Sequence, residues 1–211
     1  MRVVSTTPAP PAPGIAHLLD AARADGRRRV LGVAGGPGAG KSTLAASLAG
    51  PGVAVVGMDG WHLANSVLDR LGRRDRKGAP DTFDAAGYVA FLERARSRAV
   101  TVWAPEFRRE IEEPIAGALE VPPDALVLVT EGNYLLLDDP PWAGVRALLD
   151  EAWFLEPDED VRRARLVARH ERHGRSHAEA VARADGSDAA NARMVATTAH
   201  RADLVLREAA G

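Results

Sequence analysis

The most chemically informative run in the chain is Gly35-Gly36-Pro37-Gly38-Ala39-Gly40-Lys41-Ser42. It matches G-x-x-x-x-G-K-[ST], a pattern that wraps polyphosphates when it lies between a strand and a helix. Each residue type has a physical reason. Glycines allow positive φ and let backbone amides approach phosphate oxygens with no Cβ in the way. The amides and the helix N-terminus supply partial positive charge. Lys41 is expected to reach the β- and γ-phosphates, and Ser42 to ligate Mg²⁺. Thr43 follows at the start of the helix. The motif specifies a phosphate donor and leaves the acceptor open.

Two acidic residues stand where apolar runs end. Asp59 closes Val53 to Met58 and Glu131 closes Ala125 to Thr130. Both places lie at the carboxyl edge of a parallel sheet, where α/β proteins bind ligands. A carboxylate at Asp59 can take the proton of an attacking hydroxyl. On spacing alone it is equally an aspartate capping a turn. Glu131 can anchor the hydration shell of Mg²⁺ or bind substrate hydroxyls. Further along, Arg162, Arg165, Arg169 and Arg172 share one helical face. Two readings stand: a lid that lays guanidinium groups on the transferring phosphoryl, or a solvated face paired with Glu159, Asp160 and Glu171. Lys41 and Lys77 are the only lysines in a chain whose other fixed cations are arginines, which singles out both as point charges.

The elements that must position these residues follow from periodicity. Apolar runs at 30–34, 53–58, 125–130, 152–155 and 203–206 predict five strands. Helices are expected over 15–24, after the glycine-rich turn, over 84–98 with Asp84 as cap, over 142–149, over 158–173, and over 177–184 and 188–199. The stretch 60–80 is polar and irregular, and 101–122 carries short β-like pieces. This alternation predicts an α/β fold, a three-layer α/β/α sandwich around a five-stranded, mostly parallel sheet. It carries a substrate-side excursion at about 60–122 and an Arg-rich lid at about 158–187. Residues 1–13, rich in Pro, Ala and Thr, are expected to be a flexible tail, and 14–211 a single domain.

Composition narrows the function classes. The 46% hydrophobic share of 211 residues supports one core. A net charge of −2 gives no global attraction to nucleic acid or anionic membrane. Zero cysteines exclude disulfides and thiolate chemistry. No run approaches a membrane span and no signal-like stretch leads the chain, so a cytoplasmic protein is expected. His170, His173 and His177 have metal-like spacing, but the interleaved arginines would repel a cation. The basic loop 73–77 lacks the aromatics of a nucleic-acid surface and suits an anionic substrate better. Trp61 and His62 are expected to line an acceptor pocket, and Trp103, Trp142 and Trp153 to pack in the core.

Four further segments carry a resemblance: Met58-Asp59-Gly60-Trp61-His62, Arg76 through Asp84, Ala104-Pro105-Glu106-Phe107-Arg108-Arg109, and Glu131-Gly132-Asn133-Tyr134 through Leu137. With the phosphate motif they resemble bacterial P-loop kinases of the nucleoside/nucleotide or fructose-transport-associated type. These are similar to the uridine kinase, phosphoribulokinase and type I pantothenate kinase superfamily. The resemblance spans about residues 30–206. It implies Asp59 as catalytic base, Glu131 as the acid ending a Walker-B-like strand, and Arg109 as a clamp on substrate or phosphate. Arg165 and Arg169 match a lid motif. Arg108 departs from the acidic or small residue of many relatives, which bears on the acceptor's shape.

The combined reading is a kinase using ATP and Mg²⁺ to phosphorylate a hydroxyl of a small polar metabolite, a nucleoside or sugar before a pantothenate-like alcohol. His62, Lys77, Arg109 and Asn133 belong to the acceptor half. No nucleic-acid or membrane partner is expected, and a homodimer is left open. The rival is a P-loop NTPase serving as a switch or chaperone with water as acceptor.

Overall fold

The computed structural model describes residues 2–6 and 13–208. Its frame is a six-stranded sheet of order β1-β8-β7-β2-β6-β3, parallel throughout. The strands are β1 (Arg2–Thr6), β2 (Arg29–Gly35), β3 (Val53–Gly57), β6 (Val127–Gly132), β7 (Glu151–Pro157) and β8 (Leu204–Glu208). All five expected strands are present. The sixth, β1, falls in the segment expected to be a tail and pairs with β8 from Arg2↔Leu204 to Thr6↔Glu208. Residues 1 and 7–12 of that segment lie outside the described residues.

β2 is central and buried at six of its seven positions. Covered on both faces, it can be apolar without interruption. Alternate side chains still part to opposite layers. Leu31 and Val33 join Val127, Val129 and Trp153 beneath α1 (Ala16–Asp25) and α2 (Lys41–Ser47). Val30 and Ala34 join Val56, Leu128 and Phe154 on the other face. That layer holds α4 (Ala85–Ala95), whose buried face presents Tyr88, Phe91, Leu92 and Ala95, as its 3.6-residue spacing predicts. Asp84 caps it by accepting from the amide of Gly87 at 2.8 Å. Buried Arg28 staples the amino edge of the sheet, donating to the carbonyls of Ala125 at 2.8 Å and Ala95 at 2.7 Å.

Outside the sheet, α3 (Asn65–Arg70) lies in the polar excursion, and an antiparallel hairpin of β4 (Val102–Arg108) and β5 (Glu113–Val121) follows α4. The hairpin sits on the turn after β3 because residue 60 is glycine. A Cβ there would stand 2.3 Å from the Pro105 carbonyl oxygen. The Arg-rich helix α5 (Glu159–Arg172) is capped by Asp158, which accepts from the amides of Asp160 and Val161. It leads to α6 (His177–Arg183), a π-helical turn at Ala184–Asp188, and α7 (Ala189–Ala196).

Two expectations are corrected. Residues 142–149 form two 3₁₀ turns, Trp142–Gly144 and Arg146–Leu148, instead of one helix. Eight residues with Gly144 inside give an α-helix little beyond its nucleus, and the Trp142 indole is drawn aside to donate to the Pro80 carbonyl at 3.1 Å. Trp103 is 57% exposed on the outer face of the hairpin, whereas Trp142 and Trp153 are buried as expected. A two-stranded hairpin has one face with no layer above it, so alternation alone does not bury every tryptophan.

Candidate active site

The phosphate motif forms the turn between β2 and α2, as the strand–turn–helix reading requires. Gly38 and Gly40 adopt φ of 81° and 91°. At Gly38 there is also no room for a side chain, since a Cβ would meet the Leu166 side chain at 2.7 Å and the Arg162 carbonyl at 2.9 Å. The loop is therefore packed against α5. Arg162, 4% exposed, closes that contact by donating to the Pro37 carbonyl at 3.0 Å while Glu159 receives its other side. Arg162 thus braces the cradle, a role its spacing alone did not reveal. The available signal was Glu159, an acid in the first helical turn three residues before it.

Lys41 is buried, and its ammonium donates to the Gly36 carbonyl at 3.0 Å and to Oδ1 of Asn133 at 2.7 Å. Burial pulls its pKa below the ordinary lysine value, with Glu131 and Asp59 opposing. The Ser42 hydroxyl donates to Oε1 of Glu131 at 2.8 Å. Glu131 ends β6 between β2 and β3, in register with Val33 and Gly57. Beneath it a buried chain of hydroxyls holds the strand ends: Tyr88 meets Thr130 at 2.7 Å, and Thr130 donates to the Val56 carbonyl at 2.8 Å.

Asp59 sits in a 3₁₀ turn, Met58–Trp61, directly after β3. Its Oδ2 accepts from Arg109, on the hairpin, at 3.0 Å. Burial raises the Asp59 pKa, but nearby His62, Arg109, Lys41 and Arg169 outweigh it and hold the carboxyl below its ordinary value. Burial pushes Glu131 the other way, against Lys41, and the charge of Asp59 adds to the rise. The environment separates the two carboxyls, lowering the pKa of Asp59 and raising that of Glu131.

Two clefts meet at these groups. One, of about 850 Å³, is lined by the phosphate loop, Thr43, Arg165, Arg172 and the ends of β7 and β8. The second, of about 620 Å³, is lined by Asp59, His62, Lys77, Glu131, Asn133 and the α6–α7 segment. Lys41, Ser42, Arg109 and Arg169 border both. Arg169 reaches this junction half-buried. Among the described residues no protein acceptor lies within hydrogen-bonding distance of it. Burial and the Arg109 charge lower its pKa.

His62 lies between Phe83 and Phe107, with ring centroids 3.9 Å and 4.6 Å away. Its Nδ1 is 2.8 Å from the Asp59 carbonyl oxygen, which can only accept, so Nδ1 carries the hydrogen. Burial lowers its pKa, opposed by Asp59. Lys77 donates to Oδ1 of Asn65 at 2.5 Å and to the Glu112 carbonyl, and its ammonium stands 4.9 Å from the centre of the Phe107 ring. It ties α3 to the hairpin tip at the wall of the second cleft.

Every residue expected to bind ATP, acceptor or metal thus borders one cleft or lies in the phosphate loop, whereas two residues expected to shape the acceptor pocket do not. Trp61, expected to line the pocket, is buried against Tyr88 and Phe91 instead. The turn after β3 sends its side chains to opposite sides: Asp59 and His62 face the cleft, and Trp61 faces the core. Arg108 is exposed and pairs with Glu106 at 2.7 Å, so the departure it represents does not shape either cleft. Phe83, Phe107, Arg183, Asp188 and Asn191 also line the second cleft and were not anticipated. No group of three or more His, Cys, Asp or Glu side chains suited to a metal exists among the described residues, and the histidines of α5 and α6 form none. His170 instead meets Asp188 at 2.7 Å.

The residue pattern of the phosphoribulokinase/uridine kinase family matches residues 30–210. The chain belongs to this family. Its relatives match the chain over different extents. A provisionally named uridine kinase of Schizosaccharomyces pombe is 35% identical over 199 residues, spanning 86% of this chain and 84% of its own. A Silicibacter crystal structure, provisionally named a fructose transport system kinase, is 40% identical with a TM-score of 0.79, covering 90% of this chain and 98% of that one. A pantothenate kinase of Enterococcus faecalis is 29% identical over 61% of this chain, which spans 45% of that enzyme. The yeast kinase YFH7, 17% identical with a TM-score of 0.80, shares the fold. The family is one of P-loop kinases, and Gly35 to Ser42 form the P-loop of this chain.

Proposed function

We propose that the protein transfers the γ-phosphoryl group of ATP to a hydroxyl of a small polar metabolite, a nucleoside or sugar in preference to a pantothenate-like alcohol. The observation that carries this reading is the pair of clefts joined at Lys41, Ser42, Arg109 and Arg169, with Asp59 on the far side of the junction. An NTPase that uses water needs no second chamber of about 620 Å³ beside its phosphate loop.

The roles follow from position and charge. The loop amides and Lys41 hold the β- and γ-phosphates, and Thr43 and Arg165 line the same cleft. Lys41 exchanges the Asn133 oxygen for a phosphate oxygen, which frees Asn133 toward the acceptor. Asp59, kept ionised by its neighbours, accepts the proton of the attacking hydroxyl. Arg169, which has no acceptor to give up among the described residues, stabilises charge on the transferring group. Arg109 reaches from Asp59 toward the same point and holds the base in place. His62, Lys77, Arg109, Glu131 and Asn133 contact the acceptor.

The Ser42 hydroxyl and Glu131 carboxylate, 2.8 Å apart, make an all-oxygen donor set that fits Mg²⁺. With so few protein ligands it would keep water and phosphate oxygens in its shell, as that ion prefers. An ion held by these two oxygens would supply positive charge that offsets the phosphates.

The test is Asp59→Asn, which keeps the shape and the Arg109 contact but not the proton acceptor. Acceptor phosphorylation is expected to fall at least about 100-fold, with ATP affinity unchanged. A variant that phosphorylates the acceptor at the normal rate would remove Asp59 from the chemistry.

A further inference from the structure

Arg169 is the one cation at the junction of the clefts that neither pairs with a carboxylate nor donates to a protein group among the described residues. A long side chain without a partner keeps its rotamer freedom, so something else must set where its helix presents it. The next residue supplies a fixed point. His170 Nε2 lies 2.7 Å from Oδ2 of Asp188, and both side chains are only 12% exposed. The carboxylate can only accept, so Nε2 carries the hydrogen and donates.

Asp188 is itself anchored. It ends the π-helical turn Ala184–Asp188, and wide turns of this kind redirect side chains relative to an α-helix. On either side of that turn the segment is bolted to the acceptor loop. Arg183 donates to the Lys77 carbonyl at 3.0 Å, and Asn191 to the Gly78 carbonyl at 3.3 Å. Tyr134 donates to the same Gly78 carbonyl at 2.5 Å. Asp188 is therefore a post fixed to the acceptor side, and His170 ties α5 to it beside Arg169. A second link joins the same two elements: Arg163 pairs with Asp185 at 2.6 Å and 2.8 Å, but on the exposed side and away from the clefts.

We propose that Asp188, acting through His170, is a positioning residue that fixes the rotation of α5 and so aims Arg169 at the transferring phosphoryl group. The idea rests on Arg169 serving as a charge-stabilising group, and it extends the site to two residues on the wall of the second cleft that act through Arg169. A small misplacement of such a group is costly, on the order of 100-fold for about 1 Å.

The experiment measures steady-state turnover of Mg²⁺-ATP with water as acceptor, so it does not depend on knowing the metabolite. Asp188→Ala and His170→Ala are expected to lower kcat by about 10- to 100-fold, with KM for ATP within about threefold. His170→Gln, whose amide nitrogen replaces Nε2, is expected to recover most of the loss. Asp185→Ala, which cuts the exposed link between the same elements, should leave kcat unchanged. In an Arg169→Ala background, Asp188→Ala should cause no further fall. Thermal melting accompanies each variant, and Asp188→Asn, which still accepts from His170, covers the case in which the alanine variant does not fold.

The proposal is overturned if Asp188→Ala turns over ATP normally, if its loss multiplies with that of Arg169→Ala, or if Asp185→Ala loses as much. A change confined to KM for an added acceptor also overturns it, making Asp188 a contact for that acceptor. Normal turnover in Arg169→Ala would instead strike at the role of Arg169 itself, and the search for an acceptor is separate from all of these results.

Discussion

At the residue scale the site works by pushing similar groups apart. Asp59 and Glu131 are both carboxyls near one lysine, yet the cations around Asp59 favour its charge while burial favours the proton on Glu131. His62 adds a measurable consequence. Burial lowers its folded pKa below 6.5, so the unfolded chain binds a proton that the native state resists. Its contribution is therefore neutral above about pH 6.5 and becomes destabilising as pH falls below that value. Melting curves of wild type and His62→Asn should show the variant gaining relative stability on acidification from pH 7 to pH 5. A difference that stays constant over that range would mean His62 titrates alike in both states. The residues of the phosphate loop, Asp59 and Glu131 were legible in the sequence because motif spacing and strand ends mark them, whereas Arg169 stood out from its helical face only through the family resemblance. Asp188 was not. It looked like an ordinary helix-starting aspartate before Ala189, and a π turn leaves no periodic trace.

At the element scale, position comes from a few tight contacts between strand ends and insertions. The hairpin of β4 and β5 brings Phe107 and Arg109 to the site only because Gly60 lets the Pro105 carbonyl approach the turn that carries Asp59. Gly60→Ala forces these apart and should cost about 1–3 kcal/mol of stability. It should also raise KM for the acceptor more than KM for ATP, since the phosphate loop lies on a different strand. An equal rise in both constants, or none, would separate the hairpin from acceptor binding. The same elements show where sequence reading stops. Strands β2, β3, β6, β7 and β8 were legible as apolar runs because both faces are covered. The 3₁₀ turns at 142–149 were not, because the contact that draws Trp142 to Pro80 joins residues 62 positions apart. The exposure of Trp103 likewise depends on which face of a hairpin finds a layer above it.

At the scale of the whole molecule, a parallel sheet opens its carboxyl edge between β2, β6 and β3, and two insertions close over that edge from opposite sides. One carries the acceptor residues Lys77 and Arg109; the other carries Arg165 and Arg169. Their meeting at Lys41 and Ser42 gives the molecule two chambers with a shared wall, one for the donor and one for the acceptor in the proposed reaction. Metal dependence tests that wall. Chelation of Mg²⁺ should abolish turnover, and Glu131→Gln should raise the Mg²⁺ concentration for half-maximal rate by about 10-fold or more. An unchanged Mg²⁺ requirement in that variant would place the ion elsewhere.

The central claim is that the second chamber holds an organic hydroxyl and not merely water. It is tested most directly by measuring ADP release from Mg²⁺-ATP across a panel of nucleosides, sugars and vitamin alcohols, with product mass read in parallel. At least one nucleoside or sugar should accelerate release and gain one phosphoryl group in mass. Release that no acceptor stimulates, with inorganic phosphate as the sole product throughout, would contradict the account and favour an NTPase.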